Sequence, residues 1–122
     1  MRNLYKIAIL ILATTTMSCF KIDGINKKAI KYNKEAMDIV FQRGWGEEQV
    51  DSALFLLNKA VDIDPNFYLA HSNKIMMLFK KKDFDQILIT NKEMQRLSPE
   101  DPSLIIQEGL IYELKGDSLN SN

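Results

Sequence analysis

The chain holds 122 residues, with 16 basic side chains, 16 acidic ones and no formal net charge. That length bounds a single domain, and the balanced charge lacks the basic excess of a nucleic-acid-binding protein. One cysteine and one histidine exclude an internal disulfide and a cysteine–histidine zinc site.

The first 18 residues fall into three parts. Arg2 and Lys6 make a positive start, Ile7 to Ala13 ("IAILILA") a short apolar run, and "TTTMS" a mostly small, polar end. This is the layout of a secretory signal peptide. The run is far shorter than the ~20 residues that span a bilayer, and it has no polar face for a buried amphipathic helix. Without residues 1–18 the chain carries 14 bases against 16 acids, a formal charge of −2.

Cys19 stands directly after Ser18. An apolar stretch that ends in a small residue and then cysteine resembles the signal of bacterial lipoproteins. The resemblance implies that Cys19 is lipidated and becomes the new N-terminus. It also implies a lipid-anchored membrane protein of the bacterial cell envelope, facing the periplasm or exterior. Thr16 departs from the leucine usual in that family three residues before the cysteine. The alternative is a conventional signal peptide with Cys19 an incidental thiol. Lys21, Lys27, Lys28, Lys31 and Lys34 follow closely. They either meet anionic headgroups or line a solvated linker and helix face.

Beyond Asn26 the patterning is helical throughout, with three prolines and no long alternating stretch. It predicts helices near 27–43, 47–62, 67–81, 84–97 and 102–115. Gly44-Trp45-Gly46 is a turn signal between the first two. Val50, Ala53, Leu54, Leu57 and Val61 form an apolar stripe on the second helix, and Phe84, Ile87, Leu88 and Met94 one on the fourth. Asp83 with Gln86 reads as a capping box, and Asp101-Pro102 as a cap followed by the first helical residue. On the last helix Leu104, Ile111 and Tyr112 should bury against the fourth. Ile106, Leu110 and Leu114 are left over, as a contact edge or covered by Met76 and Phe79. Residues 116–122 should be a loose tail.

The closing prolines Pro65 and Pro99 stand 34 positions apart, a period that belongs to helix–turn–helix repeats. In the window from Lys34 to Phe67, Ala53, Leu57, Ala60 and Pro65 fall in phase. From Tyr68 to Asp101, Asp83, Phe84 and Pro99 do, with Ile87 and Met94 replacing small residues. After Pro102, Gly109, Tyr112, Gly116 and Asp117 do. The pattern resembles the tetratricopeptide repeat over about 34–117, although Phe41 and Ile75 occupy that family's glycine position. The resemblance implies an all-α fold of about two and a half units in a short right-handed solenoid. The expected organisation is a signal peptide (1–18), a lipidated linker (19–26), a repeat domain (27–117) and a disordered tail (118–122).

No constellation for catalysis is visible, so no enzyme activity, metal or cofactor is expected. His71 has no relay beside it. Glu47 and Glu48 suit a helix N-terminus, Asp62 and Asp64 flank a helix end, and Gly44 and Gly46 lack a phosphate-binding pattern. Surface remains. In the repeat family the first helix of each pair lines a groove for a peptide or helix. Carried over, that groove takes in Asp38, Gln42, Ser72, Asn73, Met76, Phe79, Ile106, Leu110 and Glu113. Only Asn73 matches the family's carboxylate-gripping set. Met76, Phe79, Ile106 and Leu110 make the surface apolar, suited to an amphipathic helix or an extended apolar peptide, unless they simply pack on one another. The function expected is a protein–protein interaction scaffold with an unknown protein or peptide partner. The alternative is a structural envelope lipoprotein that self-associates as a homo-oligomer and has no separate client.

Overall fold

A computed structural model describes residues 24–120. The expected signal segment, Cys19 and the start of the linker lie outside them. The described residues are all-α: α1 (Lys27–Arg43), α2 (Glu47–Ile63), α3 (Tyr68–Lys80), α4 (Phe84–Leu97) and α5 (Pro102–Asn120), with no strand. The connections are three or four residues long, which makes successive helices antiparallel neighbours. Each helix packs mainly on those next to it in sequence, and α1 also touches α3.

Local chemistry sets the helix ends. The Asn26 side chain accepts from the Lys28 and Ala29 N–H groups and opens α1. Gly44 closes α1 at φ +93°, where a side chain would be strained. Gly46 opens α2 without a side-chain cap, and Glu47 and Glu48 supply negative charge to its first turn. Asp83 accepts from the Gln86 N–H at 3.3 Å. Its own N–H goes back to the Leu78 carbonyl and that of Lys82 to Phe79, a Schellman closure of α3 with Lys82 in the left-handed region at φ 57°. Asp101 accepts from the Ser103 N–H at 3.0 Å and so caps α5.

Two cores result. Ala29, Ala36 and Val40 of α1 meet Val50, Ala53, Leu57 and Ala60 of α2, with Phe67, Ala70 and Met77 closing the cluster. Ala29, Ala36, Ala53 and Ala60 are fully buried; four small residues let the two backbones approach closely. The second core joins Tyr68, Ile75 and Leu78 to Ile87 and Met94 of α4 and Leu104, Ile111 and Leu114 of α5. Leu54 packs against both cores. Burial, then the neighbouring Asp101 carboxylate, push the Tyr68 hydroxyl up to about 12.

The second core also contains a polar layer. Asn91 is fully buried and Gln107 nearly so. Asn91 Nδ2 donates to the Leu104 carbonyl at 3.0 Å and to Gln107 Oε1 at 2.7 Å. Gln95 bridges Asn91 to Glu108, and Lys92 pairs with Glu108 at 2.8 Å. Each buried group is satisfied, so the layer fixes how α5 sits on α4 without an unpaired dipole.

The last helix departs from expectation in two ways. It continues through Gly116 and Asp117 to Asn120, so there is no turn at 116 and residues 118–120 are helical, not a loose tail. No proline follows, and a glycine inside a helix costs only about 1 kcal/mol. The added turn lies beside the start of α4, where Lys115 pairs with Asp85 at 2.5 Å and Ser118 and Leu119 adjoin Lys82 to Asp85. Its buried stripe is Leu104, Gln107, Ile111 and Leu114; Tyr112 is 57% exposed. Gln107 takes the inward position because Asn91 faces it, which rotates Tyr112 outward.

The alanine seam is testable. Ala60→Leu should cost about 1–3 kcal/mol by overpacking the α1–α2 contact. Urea denaturation followed by circular dichroism measures it, and an unchanged midpoint would contradict the seam.

Candidate functional site

The expected groove residues separate into four groups. Ser72 and Asn73 are buried, and Asn73 Nδ2 donates to Asn33 Oδ1 of α1 at 2.8 Å. That bond ties α1 to α3 and takes Asn73 away from any ligand. Asp38 is half-buried, 4.0 Å from Lys34 one turn away, while Gln42 and Glu113 are exposed. On α5, Ile106 is 59% exposed and Leu110 is half-buried against the second core.

Met76 and Phe79 are brought together. With Trp45 and Lys80 they line an apolar cleft of about 240 Å³. Trp45 stands on the connection between two glycines and packs its ring on the first core. Phe41, one turn back on α1, meets it edge to face, with centroids 6.0 Å apart and planes at 87°. Phe41 is 69% exposed, so the aromatic surface runs from the cleft out along α1. At the other margin Phe79 meets Phe84 edge to face at 6.5 Å. Among the described residues, Lys80 is the only charged side chain on the cleft wall. A second depression, about 330 Å³, shares Trp45 and Lys80 and is walled by Glu47, Val50 and Lys81. Lys81 is engaged there by Asp51, whose carboxylate raises the ammonium above its ordinary range. An apolar slot thus borders a charged one, with Trp45 and Lys80 between them.

Sequence reasoning took Trp45 for part of a turn and missed its role. The available signal was the chain's single tryptophan on a short connection between amphipathic helices. A large ring with one polar edge is suited to such a half-exposed position.

His71 has a structural environment. It is buried on α3, and its Nε2–H donates to the Pro65 carbonyl at 2.8 Å, holding the α2–α3 connection. Burial pushes the imidazole below its ordinary value of 6.5, against the opposing pull of the Pro65 carbonyl. Among the described residues, no three histidine, cysteine, aspartate or glutamate side chains are grouped to hold a metal ion, and no helix is long and apolar enough to cross a membrane. No family model, curated protein or solved structure matches this chain.

The depressed His71 value has a signed consequence. The unfolded chain binds a proton near pH 6.5, whereas the folded chain binds it only at lower pH. Stability is therefore intact above about pH 6.5 and lost as the pH falls through the folded value. Thermal melts between pH 7 and 5 should show this decline, and His71→Gln should flatten it. An identical slope in the variant would contradict the assignment.

Proposed function

We propose that this protein is a lipid-anchored, tetratricopeptide-like scaffold of the bacterial cell envelope that holds an apolar peptide or helix of a partner protein. The observation that carries the binding reading is the cleft formed by Trp45, Met76, Phe79 and Lys80, continued by exposed Phe41. An aromatic-lined slot with a single cation at its edge fits an apolar side chain whose neighbour bears a carboxylate. The repeat reading draws support from neighbour-to-neighbour helix packing. It is also supported by the fully buried Ala53 and Ala60 and by α2 and α4 ending at Ile63 and Leu97, 34 positions apart.

A second reading, self-association, has its own observation. Ile105, Ile106 and Tyr112 on α5 are 64%, 59% and 57% exposed, and exposed apolar surface of this kind marks a contact site. Affinity capture of the tagged, lipidated protein from envelope extracts separates the two. A client lost on Phe41→Glu or Met76→Glu, by on the order of tenfold or more in affinity, supports the cleft. Recovery of the protein alone, abolished by Ile105→Lys with Ile106→Lys, supports self-association.

The anchor is tested apart from the partner. Cys19→Ala should leave the chain without acyl mass, uncut before residue 19, and reduced in the membrane fraction. Wild-type partitioning and mature mass in that variant would overturn the lipoprotein reading.

A further inference from the structure

The outer side of the α1–α2 pair carries a second surface, away from the Trp45 cleft. Lys59 Nζ sits 4.6 Å from the centre of the Phe55 ring and 5.5 Å from that of Tyr32. Lys28 Nζ lies 5.9 Å from the Tyr32 ring. Phe55 is nevertheless 60% exposed. Four lysines of α1 are exposed: Lys27, Lys28, Lys31 and Lys34. The nearby acids Glu35 and Asp38 face Lys31 and Lys34 at 3.8 and 4.0 Å, Asp62 acts on Lys74 of α3, and Asp64 is the acid at the start of α1, beside Lys27 and Lys28. In a chain whose portion after residue 18 has a formal charge of −2, this corner is basic.

Its position in the fold matters as much as its charge. The Asn26 N–H donates to Asp64 Oδ2 at 2.8 Å, which pins the start of α1 beside the α2–α3 connection. The Trp45 connection lies at the opposite end of both helices. Cys19 precedes Lys27 by eight residues, a reach of at most about 26–29 Å when extended. A lipid on Cys19 therefore keeps the Lys28–Lys59 corner within about 30 Å of the bilayer, and the cleft lies at the far end of α1 and α2 from the tether. Ammonium groups seated over aromatic rings put positive charge next to exposed apolar surface, the combination that suits the headgroup region. Anionic lipid attracts each lysine held near its surface.

We propose that the surface formed by Lys28, Tyr32, Phe55 and Lys59 rests on an anionic lipid membrane, with Phe55 entering the headgroup–acyl boundary. The proposal rests on the lipoprotein reading, and the experiment keeps the two separable. The lipidated chain, carrying Phe55→Trp in a Trp45→Phe background, is reconstituted on vesicles of phosphatidylcholine, alone or mixed with phosphatidylglycerol, whose acyl chains are brominated. On the mixed vesicles the emission of the residue-55 indole should shift to the blue and be quenched. On phosphatidylcholine alone, in high salt, or after Lys28→Glu with Lys59→Glu, quenching should fall to the unbrominated control while the chain still floats with the vesicles. Absence of quenching on mixed vesicles to which the chain is bound overturns the proposal and leaves the anchor untouched. A blue shift without quenching marks a protein interface instead and also overturns it. If the chain proves to carry no lipid, the anchor reading fails. The Cys19→Ala chain added to the same vesicles then decides the surface by the same dependence on phosphatidylglycerol and Lys59.

Discussion

Burial of α3 from two sides holds the molecule together. Eight of its thirteen residues are buried. Ala70 and Met77 enter the first core, while Tyr68, Ile75 and Leu78 enter the second. Fully burying a side chain of this size contributes about 1.5–3 kcal/mol, so α3 couples two helix pairs that have little direct contact. The Asn33–Asn73 bond and the His71–Pro65 bond satisfy polar groups that this double burial encloses. Rotating α3 would open both cores and leave those groups unpaired.

The Trp45 cleft is a by-product of that arrangement. Because α3 is held between two layers, its last turn projects Met76 and Phe79 sideways, where Trp45 from the α1–α2 connection meets them. The residues that make α3 central are therefore distinct from those that make it available. Asn73, the one match to a carboxylate-gripping set, belongs to the first kind. Its amide is turned to Asn33 on the neighbouring helix and not to a ligand. A partner read by this protein would be recognised by apolar shape next to the Lys80 ammonium.

Polar contacts at the helix seams show what residue patterning leaves hidden. On α5 apolar residues occur on more than one side: Leu104, Ile111 and Leu114 face in, while Ile105 and Ile106 face out. Hydrophobicity alone could not choose the inward side. Gln107 and Asn91 chose it through a 2.7 Å bond between residues that a search for apolar stripes passes over. The same cause left Tyr112 misjudged as a core residue. Asn33, which bonds to Asn73 from another helix, was invisible for the same reason.

What the sequence by itself determined is local and periodic. Val50, Ala53 and Leu57 at helical spacing predicted the buried stripe of α2, and Asp83 and Asp101 predicted the starts of α4 and α5. In each case the signal and the structure it directs lie within a turn or two of chain. Even so, Gly116 did not end α5, because a glycine's modest helical penalty can be outweighed by contacts such as Lys115–Asp85. Only the tertiary structure decided that Trp45, Met76 and Phe79 share one cleft, that Ser72 and Asn73 are spent inside, and that Tyr32, Phe55, Lys28 and Lys59 form one surface. These groups come from different helices, and their meeting depends on the rotation of each helix about its axis. That rotation is set by which side chains interlock across the seams, a property of pairs of residues far apart in sequence.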